Sequence, residues 1–483
     1  MLLEHWDAAD PLTHLDVPGP NERLYTLLSE ACGSAHIETV RFLLDGPWQA
    51  AYGDLHARTA RGSTALLATA GSFRNLEKCQ DTADKENHLH QNYLARVEEV
   101  MQLLLDRGAC VQDTLFQTNE SQEPWETVLG LAISRASPAL VKRLINQGAD
   151  MYVKMACISM DRSKITRGVT ALHIGSQYSN AGGIQVLLDY ARGTGGIGIV
   201  QQADGDGHLP LHYAAYGLED SVCYMLEEEE IVPHVTATIE LLLRADPSTV
   251  NAQDKEGDTA LHFAVRRHGH YGNRHLAIPQ LLCKYGADGS LRGRNGETAL
   301  HGLGYRVPAC DPFDISLIDL LLDHGASVDD TDRDGNTPLH FAARNWLYIE
   351  AARHLLSRGA NLSAIDQQGN TPLHQAANGS RNAFKTLRSG PFLAEPLVEA
   401  QSEMMKVLLN GVSVETADAL MDQPNADNKT PRQICKERRI KWQEDEEAMR
   451  NRATGQNWGR GRGVGGVRGG ERGGGRGRGG RGG

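Results

Sequence analysis

The 483-residue sequence predicts an all-α repeat solenoid, in which stacked helix-turn-helix units are joined by β-turns or hairpins and followed by a disordered C-terminal tail. Two observations predict it. The hexapeptide GNTPLH stands at residues 335–340 and again at 369–374, with related copies GVTALH (168–173), GHLPLH (207–212), GDTALH (257–262) and GETALH (296–301). A second signal recurs in phase with the first, as LLLDRGA (103–109), LINQGA (144–149), LLCKYGA (281–287), LLLDHGA (320–326) and LLSRGA (355–360). The chain is too long for one ordinary core, but units that touch only their neighbours have no such size limit.

Residues 334–363, DGNTPLHFAARNWLYIEAARHLLSRGANLS, are the best-formed unit. Gly335 suits a turn that needs positive φ, Thr337 can cap a helix N-terminus, and Pro338 fits a first helical turn, where no amide is missed. Leu339, Ala342 and Ala343 then recur at helical spacing, and the alanines let a neighbouring helix approach closely. A second helix is expected from about Tyr348 to Arg358, with Ile349, Ala352, Leu355 and Leu356 on one face and Gly359 ending it. Two such helices are too thin to bury their own apolar faces, so each unit needs stacked neighbours.

The Thr-Pro-Leu-His-x-Ala start and the period of 34 residues closely resemble the ankyrin repeat. The resemblance implies that His340, His374 and their counterparts His173, His212, His262 and His301 are structural, each imidazole bonding back to the Thr and the preceding turn. It also implies a rigid curved surface for binding proteins, with contacts from the turn tips and exposed positions of the first helices. Carried onto the best-matched units, this selects Lys255, Asp258, Arg266, Arg294, Glu297, Arg333, Asn336, Arg344, Gln367, Asn370 and Asn378.

Residues 1–20 read as an N-terminal leader and 21–165 as degenerate repeats, with a polar insertion at 71–95 and a third unit that keeps Thr127 and Leu129 but lacks the His. Residues 166–377 hold the well-formed repeats, whose starts near Gly168, Gly207, Gly257, Gly296, Gly335 and Gly369 lie 39, 50, 39, 39 and 34 residues apart. The excess over the basic period marks surface insertions, including 219–235, 267–275, 304–314 and the start of a segment that runs from Asn378 to about Ser402. Residues 378–437 read as that last insertion and a closing cap, where Arg432 and Gln433 replace Leu and His. A charged helical lead-out follows at 438–454.

Residues 455–483 carry 16 Gly and seven Arg (Arg460, Arg462, Arg468, Arg472, Arg476, Arg478 and Arg481). Such a composition cannot bury enough apolar surface to offset ordering entropy, so disorder is expected. The triplets at Arg468, Arg472, Arg478 and Arg481 resemble the RGG-type tails of RNA-associated proteins, in which guanidinium groups pair with phosphates or stack on bases. Trp458 is the only aromatic there, and a passive solubilising tail is the alternative. The tail carries +6, leaving −18 for residues 1–454, so a protein partner is expected to present basic or mixed polar surface.

Neither H-E-x-x-H, G-x-S-x-G nor the P-loop pattern occurs, and no cofactor or metal is implied. ARGTGGIGIV (191–200) lies where a repeat connection belongs, and His268, His270, His275, His88 and His90 fall in polar insertions that read as exposed loops. The acidic run Glu227 to Glu230 reads as a solvated face. Eight scattered Cys without a C-x-x-C pair read as reduced thiols in an intracellular chain, in cytoplasm or nucleus, and no stretch has membrane-spanning length. The expectation is a non-enzymatic adaptor that binds an unidentified protein and no membrane, with RNA association through the tail as the alternative.

Overall fold

In the computed structural model, the structure describes residues 20–47, 49–74, 87–116, 123–158, 164–195, 198–217, 228–267, 276–304, 314–379 and 394–457. Leader residues 1–19, the Arg/Gly tail beyond residue 457 and the insertion histidines His268, His270 and His275 lie outside them.

An inner row of helices, short between its two ends, runs the length of the array. It comprises Pro20–Gly33, Ala65–Gly71, Val128–Ala132, Ala171–Gln177, Pro210–Tyr216, Ala260–Arg267, the 3-10 turn Ala299–Gly304, Pro338–Arg344, Pro372–Asn378 and Pro431–Asn457, each packed on the next. The outer row behind it is Ile37–Asp45, Asn87–Asp106, Pro138–Asn146, Ala181–Gly193, Glu228–Ala245, Ala277–Lys284, Ser316–Asp323, Ile349–Ser357 and Ala394–Leu408. Buried residues form one apolar core from Leu28 to Trp442, so the degenerate N-terminal units stack continuously with the well-formed ones. Inner helices meet through small residues, among them Ala214, Ala264, Ala342, Ala343, Ala376 and Ala377, all buried.

Three insertions are shorter than their sequence suggests. The outer helix of the second unit begins at Asn87, inside the polar segment 71–95, although the side chains of His88 and His90 are not described. Glu228–Ala245 takes up half of 219–235. Ala394–Leu408 takes up the end of the segment that starts at Asn378. The cap and the lead-out form one helix, Pro431–Asn457.

The unit starts behave as the residues dictate. Gly335 and Gly369 adopt φ of 82° and 71°, with the next turn's backbone 3.2 Å from where a Cβ would sit, so a side chain would crowd it. The buried histidines each do two jobs. Nδ1 accepts the amide of the helix-capping residue, at 3.2 Å for Thr170, 2.9 Å for Leu209, 3.1 Å for Thr259 and 3.0 Å for Thr298, Thr337 and Thr371. A nitrogen that accepts an N–H carries no proton, so Nε2 holds the hydrogen and must donate. It reaches the following unit's turn rather than the preceding one. His173 donates to the His208 carbonyl, His262 to Glu297, His301 to Asn336, His340 to Asn370 and His374 to Lys429, at 3.0–3.2 Å. His212 donates to both Ala252 and Asp258. The imidazoles therefore stitch unit to unit.

Burial holds all six imidazoles below their ordinary pKa, His173 and His262 at about 4. In the degenerate units the same position is filled differently. Thr127 caps through the Gly130 amide at 2.9 Å, with the Met155 thioether packed against Gly130 in place of an imidazole. In the cap, the Gln433 carbonyl oxygen accepts the Thr430 amide at 3.1 Å, copying the histidine's first bond.

The Thr hydroxyl shares the imidazole bond, with Thr337 Oγ1 2.9 Å from His340 Nδ1. Thr337→Val keeps the shape and removes that hydroxyl, so a loss of about 1 kcal/mol is expected, read as a lower urea midpoint. An unchanged midpoint would mean the backbone bond alone suffices.

Candidate interaction surface

The unit starts project as turns along one edge of the array. Each regular turn is closed by an acid five residues before the Thr position, whose Oδ1 accepts the amides two and four residues on. Asp204 takes Asp206 and His208, Asp254 takes Glu256 and Asp258, Asp332 takes Asp334 and Asn336, and Asp366 takes Gln368 and Asn370. Neighbouring turns are joined by backbone bonds from Gly205 to the Arg167 carbonyl (2.6 Å), Lys255 to Asp206 (3.0 Å), Arg333 to Asn295 (2.7 Å), Gln367 to Asp334 (2.7 Å) and Ala426 to Gln368 (2.8 Å). In the N-terminal units the edge widens into two antiparallel strand pairs, Thr114–Leu115 with Glu126–Thr127 and Met155–Ile158 with Ile165–Val169.

The nominated residues divide by depth. Lys255, Arg294, Arg333 and Gln367 are exposed on the turn edge, and Asn378 is exposed at the end of its inner helix. Arg344 is half-buried, its guanidinium 5.2 Å from the Phe341 ring centre. Asn336 and Asn370 turn inward to Asp332 (3.1 Å) and Asp366 (3.0 Å) and serve the turns themselves. Asp258 and Glu297 need correction. They are 0% and 2% exposed and cannot meet a partner.

Both acids belong to a buried ionic cluster. The Arg266 side chain runs back along its own helix to pair with Asp258, and its Nη2 lies 3.6 Å from Glu297. Burial works against the charge on Asp258, but Arg266 and the Arg294 amide hold its carboxyl below the ordinary value. The cluster sits at a turn that departs from the acid-closed pattern. Gly293 occupies the position of the usual turn acid, and the Asp258 carboxylate fills the space that a side chain at 293 would need.

A second ionic feature lay outside the sequence-based nominations. His208 places Nδ1 3.1 Å from Asp204 and Nε2 3.2 Å from Asp254, clasping two adjacent turns. Burial opposes its charge, but the two carboxylates lift the imidazole to about 9. Asp204, Asp206 and His208 bring potential metal-ligand atoms within 4.8 Å of one another. Those atoms are already engaged, since Asp206 pairs with Lys164 (2.7 Å) and Thr166 (2.6 Å), and Tyr213 donates to Asp204 (2.8 Å). The arrangement clasps turns and does not present a cation site. Only the position before the helix cap hints at His208 in the sequence.

This architecture is the ankyrin-repeat fold. The family model for ankyrin repeats in three copies matches residues 129–237 and 309–396, and the single-repeat model matches residues 256–294. A putative ankyrin repeat protein of Acanthamoeba polyphaga mimivirus is 28% identical over 240 residues, covering 46% of this chain and 28% of the relative. The B-cell lymphoma 3 protein homolog of Mus musculus is 27% identical over 240 residues, covering 45% of this chain and 48% of the relative. The chain thus spans less than half the length of either relative. The crystal structure of the ankyrin repeat domain of Bcl-3 covers 56% of this chain and 97% of its own, at 21% identity and a TM-score of 0.36. Among the described residues no helix is long and apolar enough to cross a membrane.

Proposed function

We propose that this chain is a non-enzymatic intracellular scaffold that binds another protein through its inner-helix face and turn edge. Ankyrin repeats generally mediate protein–protein interaction, and the relatives carry the same modules. The observation that carries the reading is the joining of turns backbone to backbone, which presents Arg333 and Gln367 on one rigid run and Lys255 on the run before it. A rigid edge costs little ordering entropy on association. The working body is the set of well-formed repeats at 166–377, flanked by the degenerate units at 21–165 and closed by the cap within 378–437. The partner's surface is mixed polar, complementary to an acidic body.

The test is affinity capture with the full chain beside an Arg344→Glu/Asn378→Lys variant, with circular dichroism verifying the fold. A specific partner lost from the folded variant supports the inner-helix face. A partner captured equally by both removes that face from the reading.

The second reading keeps the scaffold and adds RNA binding by the Arg/Gly tail. It rests on composition alone, and the comparisons lend it no support. A chain ending at Thr454 is expected to lose salt-sensitive RNA recovery under this reading, because seven arginines bind mainly through phosphate charge. Equal RNA recovery from both chains would remove it.

A further inference from the structure

The dipeptide Asn-Gly occurs three times, at 295–296, 378–379 and 410–411. In this pair an asparagine side chain is open to attack by its own backbone, because glycine has no Cβ to hinder the amide nitrogen that follows. Attack needs an amide nitrogen free of hydrogen bonds, a carboxamide that no neighbour holds, and a backbone able to swing one toward the other. The fold grants these freedoms unequally.

At the first pair the Gly296 amide donates to the Gly293 carbonyl at 3.0 Å, and the Asn295 carbonyl accepts the Arg333 amide at 2.7 Å. At the second, the Gly379 amide donates to the Gln375 carbonyl at 2.9 Å, Arg438 Nε donates to the Asn378 side-chain oxygen at 2.9 Å, and the Trp346 ring stands where a side chain at 379 would go. The third pair joins the outer helix Ala394–Leu408 to Val414–Met421, a helix with no buried side chain. Asn410 and Gly411 are both exposed, Gly411 takes φ of 81°, and no atom comes within 4 Å of the place of its missing Cβ. Among the described residues, neither the Asn410 carboxamide nor the Gly411 amide makes a hydrogen bond.

We propose that Asn410 is a site of spontaneous deamidation in the folded chain. The Gly411 nitrogen gives its proton to solvent base and bonds to the Asn410 Cγ, while the Nδ2 group takes up a proton and leaves as ammonia, closing a five-membered succinimide. Water then opens the ring at either carbonyl. One opening leaves aspartate, and the other leaves isoaspartate, in which the backbone runs through the side-chain carbon. Nothing is oxidised, and water is the sole co-reactant. Either product replaces a neutral amide by a carboxylate at the C-terminal end of an outer helix, where the dipole is already negative. Since Val414–Met421 buries no side chain, the added backbone atom of isoaspartate is taken up there without opening the core. The product is a charge mark that accumulates with the age of the molecule.

The test ages the full chain at mildly alkaline pH beside the same chain in guanidinium chloride. The three Asn-Gly peptides are followed by mass spectrometry, with fragmentation separating isoaspartate from aspartate. In the native chain Asn410 should gain one mass unit about ten-fold faster than Asn295 or Asn378, since each of those pairs must first release a hydrogen bond. In guanidinium chloride the three rates should converge, which assigns the difference to the fold. Asn410→Gln, whose longer side chain closes a six-membered ring far more slowly, should leave its peptide unchanged in mass, with circular dichroism verifying the fold. A native rate at Asn410 no greater than at the other two, a spread that persists in guanidinium chloride, a product without isoaspartate, or a mass gain that survives in Asn410→Gln would each overturn the proposal.

Discussion

Lowering the pH from 7.5 to 5 is expected to destabilise the array by roughly 4 kcal/mol through His173 and His262 alone. Both sit at about 4 in the folded chain against 6.5 when free, so between these values the unfolded state binds protons that the folded state refuses. Their contribution is complete above 6.5 and is lost as the pH falls toward 4. The cause is geometric as well as dielectric. Nδ1 already accepts an amide, and protonating it would break that bond and charge a buried ring. His212, His301, His340 and His374 are lowered as well and add to the loss.

His208 works in the opposite sense. Its folded value of about 9 means its contribution is complete below 6.5 and fades as the pH rises through 9, so acidification returns about 1 kcal/mol. Asp204 and Asp258, both lowered, lose their contributions only as the pH falls below the usual carboxylate range. The net change therefore remains a loss. Urea titrations followed by circular dichroism at the two pH values measure it, and a midpoint that held steady or rose at pH 5 would contradict the histidine assignment.

The repeat was legible because its signals are local. A Thr, a Pro and a His at fixed spacing define a helix start, and Gly with two apolar residues defines a helix end, whatever lies around them. The bond from each histidine back to its Thr came from the resemblance to ankyrin repeats, whereas the bond to the next unit was not anticipated, because the receiving carbonyl lies 30 to 55 residues away across insertions of unequal length. Asp258 and Glu297 show the same limit. A polar residue just before a helix cap reads alike whether it faces water or an arginine folded back from its own helix. Only the register of one turn against the next shows that Gly293 has left a space and that Asp258 fills it.

Replacing Arg266 by Met is expected to cost about 3–5 kcal/mol, the range for removing one partner of a buried ion pair. The side chain is 19% exposed, while Asp258 and Glu297 are 0% and 2% exposed, so water cannot take over its role without opening the turn. Methionine preserves most of the apolar stem, which isolates the charge from the packing. Because each unit contacts only its neighbours, the damage should be local. Hydrogen exchange should accelerate in residues 254–267 and 276–304 more than in the units around Gly168 and Gly369. The triple change Asp258→Asn/Arg266→Met/Glu297→Gln removes all three charges together and should recover much of the loss, since no uncompensated ion remains. Gly293→Ala approaches the cluster from the other side, forcing Asp258 out of its place and away from the Arg294 amide. If Arg266→Met were neutral and the triple variant no better, the cluster would be incidental. If Arg266→Met is costly and the triple variant recovers, charge pairing at this turn is what closes the irregular step of the edge.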